Sequence, residues 1–108
     1  IFGAHGVVPG IGNIDPAGYV KIFDLVAAGD HKAARAEQER LTAMFGLVDV
    51  GASTRMGRGS SALGAFKASL KLLGVIEDAR MAPPQIPLNS EEIAAIVPFL
   101  TNAGLSVK

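Results

Sequence analysis

The chain has 108 residues, about half of them hydrophobic, which suffices to build the core of one small domain and excludes a disordered segment. Ten basic residues balance ten acidic ones, so nothing in the net charge steers the chain toward nucleic acid or an anionic membrane. The absence of cysteine excludes disulfides and thiolate metal sites and is compatible with a reducing compartment.

No apolar stretch reaches the ~20 residues needed to cross a bilayer before Gly, Pro or charge interrupts it. The opening lacks the basic and apolar regions of a secretory signal, and a start at Ile1 rather than Met is what a fragment or processed product would show. Ile1 to Val8 is apolar apart from His5 and stops at Pro9-Gly10, a pattern expected of one short buried strand. A lone strand cannot satisfy its own backbone groups, so this element calls for partners the chain does not supply, as in a βα unit of a larger barrel or sheet.

Asp15-Pro16 supplies an N-cap and a proline at the first helical position, starting a helix at roughly 16–28. Val20, Phe23 and Val26, with Ile22 beside them, form its expected apolar stripe, and Gly29 its stop. Asp30 caps a second helix running to about Val48, with Ala34, Leu41, Phe45 and Val48 on the inner face. Asp49 to Ser61 reads as a loop. A third helix is expected from about Ala62 to Leu73, with Leu63, Phe66, Leu70 and Leu73 in register and Gly74 as its stop.

Pro83, Pro84 and Pro87 enforce an extended connector. The last helix begins near Asn89 or Ser90, where Glu91 and Glu92 sit at the positive end of the dipole, and it ends before Gly104. Pro98 should kink or break it by removing the bond to the Ala94 carbonyl. The expected order is one strand and four helices.

Three stretches carry a resemblance. The run His5-Gly6-Val7-Val8-Pro9-Gly10-Ile11-Gly12-Asn13-Ile14-Asp15-Pro16 resembles the final barrel strand of the dihydrodipicolinate synthase and N-acetylneuraminate lyase family. Ala28-Gly29-Asp30, with Ala34-Arg35 and Gln38-Glu39-Arg40-Leu41, is similar to that family's helix junction after the barrel. Gly64-Ala65-Phe66-Lys67-Ala68 with Leu72-Leu73-Gly74 is similar to its penultimate helix, and Pro87-Leu88 to the approach to its last. The departures fall at Pro9-Gly10, where many members carry small polar residues, and at Gly57 to Ser61, where many carry an Asn-Pro-Ile-Pro segment.

The resemblance implies an α/β protein in which residues 1–29 are the last βα unit of a (β/α)8 TIM barrel and residues 30–108 a C-terminal helical region, this chain itself being mostly α. It implies a cytoplasmic Schiff-base lyase acting on pyruvate or another 2-keto acid, at the C-terminal ends of the barrel strands. No cofactor or metal is implied. The imine-forming Lys and the proton-handling Tyr of that family lie on earlier strands, in an upstream barrel segment, so no catalytic residue is assigned here. Carried over are Val8, whose main chain matches the group presented to the keto acid, Gly6, which lets the strand pack closely, and Gly10 with Gly12, which leave room at the mouth of the site. A homo-oligomer, dimer or tetramer, is the corresponding expectation, with no nucleic-acid or membrane partner.

Competing readings of single residues are plainer. Lys67 invites comparison with a Schiff-base nucleophile, but it sits on an appended helix with no desolvating pocket, so a solvated or ion-paired role is expected. Gly10-Ile11-Gly12 lacks the third glycine of a dinucleotide loop, Asp15 standing in its place. Arg55, Arg58 and Gly57 to Ser61 read as phosphate binders or, more economically, as a loop with an N-cap serine. His5 reads as a satisfied structural histidine and His31 as exposed, neither with metal-ligand spacing. Two classes outside the lyase reading stay open: an independent helical interaction module, and a family member kept for a non-catalytic binding role.

Overall fold

The computed structural model describes residues 3–108. Five α-helices follow in chain order: α1 (Pro16–Ala27), α2 (His31–Met44), α3 (Arg58–Leu72), α4 (Ser90–Ala94) and α5 (Val97–Asn102). Two 3-10 turns, Gly10–Asn13 and Phe45–Asp49, precede α1 and follow α2. There is no strand among the described residues, which agrees with a chain that is mostly α. Residues 3–8 are unpaired coil, contrary to the strand expected there, and Ile1 and Phe2 lie outside the described residues. The physical reason is simple: a strand needs a neighbour to bond, and no described residue exchanges a backbone hydrogen bond with residues 3–8.

Local signals set the helix ends. Asp15 accepts from the Gly18 N–H at 3.0 Å and Pro16 fills the first helical position, so α1 starts where its sequence says. Gly29 at φ +79° stops it, and Asp30 then accepts from the Ala33 N–H to start α2. Asn89 and Glu92 form a reciprocal capping box at α4. The helix does break before Pro98, between Ala94 and Val97, and so the expected four helices become five.

The start of α3 is four residues earlier than expected, at Arg58 rather than Ala62, with Gly57 as an N-cap that makes no side-chain bond. Ser60 and Ser61, expected in a loop with a capping role, lie inside this helix and are buried. Its inward face is also different. Gly64, Ala65, Ala68 and Ser69 are buried; of the expected stripe Phe66 and Leu73 pack on the core, while Leu63 is 46% exposed. Small residues win this face because the neighbours come close: a Cβ on Gly64 would lie 3.0 Å from Leu88 Cγ of the connector.

The core gathers Ile11, Ile14, Leu41, Met44, Leu47, Val48, Ala65, Ala68, Ile96 and Leu100. Phe45, expected on the inner face of α2, is instead partly exposed, and Met44 and Leu47 fill that space. Leu41 and Val48 of the expected face are buried as anticipated, and α2 passes into the 3-10 turn at Phe45 itself. In α1 the expected stripe is also turned. Val20 and Phe23 are 59% and 58% exposed, whereas Gly18 is buried and Tyr19 and Ile22 are half-buried and pack on the core.

Candidate functional site

The carried-over residues lie in and beside the unpaired segment at the N-terminal end. Val8 is fully exposed, and a Cβ added to Gly6 would meet nothing within 4 Å, so neither residue is confined by the rest of the chain. Gly6 and Val7 join Pro9, Tyr19, Phe23 and Val26 around an open cleft of about 490 Å³ between the segment and the outer face of α1. Val8 does not line it. Gly10 serves a close approach: a Cβ there would fall 2.8 Å from the Phe66 ring of α3. The Tyr19 phenol, beside this cleft, is pushed above its usual range by burial and then by the nearby Asp15 carboxylate.

Behind the cleft a charged node joins three parts of the fold. The Arg40 guanidinium donates to both Asp15 and Glu37, and its Nη1 donates to the Ala103 carbonyl at 2.8 Å. Lys21 adds a 3.0 Å bond to Glu37. Asp15 and Glu37 are nearly buried, so these contacts supply the pairing that buried carboxylates require. The bond from Arg40 outweighs burial and holds Glu37 below the usual carboxylate range. Gly18 makes room for the node, since a Cβ there would lie 2.6 Å from Arg40 Nη2 and 2.8 Å from Asp15 Oδ2. The sequence reading missed this node; the i,i+3 spacing of Glu37 and Arg40 was the one signal available.

The remaining candidates resolve one by one. All five lysines are exposed, and Lys67 donates to the Arg80 carbonyl at 2.6 Å, so none has the desolvated setting of an imine-forming amine. Arg55 and Arg58 are paired with Glu92 and Asp49, so carboxylates already occupy the guanidinium groups read as phosphate binders. His5 is exposed with no hydrogen-bond partner among the described residues, a correction to the satisfied role expected; His31 is exposed as expected. No group of three potential metal ligands occurs among the described residues, and no helix there is long and apolar enough to cross a membrane.

Glu92 forms a second polar lock. Its two oxygens accept from Arg55 Nε and Nη2 and from the Ala52 and Asn89 N–H groups, which ties the loop after α2 to the start of α4. The Arg55 bond, followed by the two backbone bonds, lowers the Glu92 pKa to about 2. A carboxyl depressed in the folded state contributes stability that is fully present above its unfolded value of about 4.3 and is lost as pH falls toward 2. The melting temperature of the chain should therefore fall between about pH 5 and 2, and Glu92→Gln should flatten that part of the profile while lowering its plateau near neutrality. Parallel profiles for the two proteins in thermal melts would contradict this assignment.

No family profile matches the chain. Over 105 residues, 96% of its length, it is 34% identical to a curated 4-hydroxy-tetrahydrodipicolinate synthase from Kineococcus radiotolerans. The chain spans 31% of that protein, a distant likeness of the lyase, dihydrodipicolinate synthase-like kind that agrees with the resemblance read from the residues.

Proposed function

We propose that the chain is the C-terminal portion of a Schiff-base-forming lyase, similar to dihydrodipicolinate synthase, acting on pyruvate or a related 2-keto acid. Residues 1–29 are the last βα unit of a (β/α)8 barrel and residues 30–108 its helical extension. The observation that carries this reading is the bare N-terminal side of the chain. Residues 3–8 offer their N–H and C=O groups to no described partner, and α1 turns Val20 and Phe23 to solvent beside them. In a barrel, neighbouring strands would pair with such a segment, and the sheet beneath α1 would cover such a face. The likeness to about a third of a synthase supports the same reading.

In that setting the chain contributes main chain and shape to the site. Val8 presents a backbone group to the bound keto acid, and Gly6 lets the strand pack closely. The Lys and Tyr lie upstream: the amine condenses with the keto carbon, releasing water, and the resulting iminium withdraws electrons from the adjacent carbon. The protein is cytoplasmic and a homo-oligomer, dimer or tetramer, in this reading, and uses no cofactor. Borohydride reduction of the full-length protein in the presence of pyruvate should fix one reduced imine per chain, detected as a mass increase on an upstream peptide. Absence of the adduct would favour a binding-only family member. The self-contained core of the described residues supports a second reading, an independent helical interaction module.

A further inference from the structure

We infer that Arg40 is a positioning residue for the keto-acid site, through which the C-terminal helices fix the end of the segment that carries Val8. This rests on the lyase reading. Hydrogen bonds run without a break from Arg40 to the turn beside Val8. Arg40 Nη2 donates to Asp15 Oδ2; the Asp15 N–H donates to the Ile11 carbonyl at 3.4 Å; the Gly12 N–H donates to the Pro9 carbonyl at 3.0 Å, one residue from Val8. The Asn13 side chain closes the same turn by donating to the Gly10 carbonyl at 2.8 Å.

Packing fixes this turn to the helices as well. Ile11 and Ile14 are buried in the core with Leu41, which neighbours Arg40 in α2, and Gly10 abuts Phe66 of α3. On the far side, the same guanidinium holds the Ala103 carbonyl at the end of α5 and the Glu37 carboxylate of α2. One planar group therefore bonds the cap of α1, the body of α2 and the terminus of α5, a task that needs a fork of several donors rather than a point charge. Within this chain residues 3–8 make no backbone bond of their own, so the turn that follows is what this chain contributes to the place of Val8, beside whatever the neighbouring strands of the barrel add.

Steady-state kinetics on the full-length protein test the inference. Arg40→Met should raise KM for pyruvate about tenfold while kcat stays within about threefold, because a shifted contact weakens binding of the keto acid. A residue that only stabilises the fold would lower the fraction of active protein, reducing apparent kcat and leaving KM alone. Arg40→Lys keeps the charge and loses the fork; it should fold and still raise KM about threefold. An unchanged KM in Arg40→Lys and in folded Arg40→Met overturns the inference while a trapped imine in the unsubstituted protein leaves the lyase reading standing. If the unsubstituted protein gives no imine, both fall together.

Discussion

Replacing Leu47 by Ala should lower the unfolding free energy by about 2–5 kcal/mol, the range for deleting a buried leucine side chain where the surroundings collapse only partly. Leu47 has no exposed surface and sits in the 3-10 turn between α2 and α3, inside the cluster that also holds Leu41, Val48, Ile96 and Leu100. Its neighbour Gly46 is fixed too, because a Cβ there would lie 2.6 Å from Phe99 of α5, so the turn cannot easily move to fill the void. The control is Leu63→Ala. At 46% exposure Leu63 loses much less burial, and its replacement should cost under about 1 kcal/mol. Urea denaturation of the two variants decides the matter, and equal losses would mean that the core is wrongly located. A loss of this size is a large share of the roughly 5–15 kcal/mol that holds a small domain folded.

That pair of leucines also marks how far the sequence is readable. Signals confined to a few neighbouring residues predict the fold well: the Asp15-Pro16 start, the glycines at φ +79° and +72° that stop α1 and α3, the Asn89 cap and the break before Pro98. Periodicity predicts less, because it marks apolar faces without saying which one is covered. In α3 Phe66 and Leu73 of the expected stripe do pack on the core, yet the most deeply buried positions are the small residues, which the close approach of Leu88 to Gly64 covers. The early start at Arg58 had no capping residue to announce it. The Arg40 node was beyond reach for another reason: its partners Asp15 and Ala103 lie 25 and 63 residues away, and only tertiary folding brings them together. At the candidate site the segment 3–8 was legible as backbone in need of partners, which is how the structure leaves it, while its strand conformation was not, since the bonds that define a strand come from a neighbour.

Phe23→Glu separates the two functional readings by its context. In the 108-residue chain the ring is 58% exposed on the bare side of α1, so a carboxylate there should change the unfolding free energy by no more than about 0.5 kcal/mol. If this chain closes a barrel, the same position in the full-length protein is pressed between α1 and the strands beneath it, and the unpaired charge must either shed its water or hold the helix away. The expected result is a loss of several kcal/mol, seen as a collapse of soluble, folded full-length protein together with loss of pyruvate trapping. Val20→Glu, on the same side and 59% exposed, should behave alike. An independent helical module makes the opposite demand: both substitutions are tolerated in the chain and in the full-length protein. Tolerance in both settings would leave the exposed side of α1 as ordinary surface and remove the main physical support for the barrel.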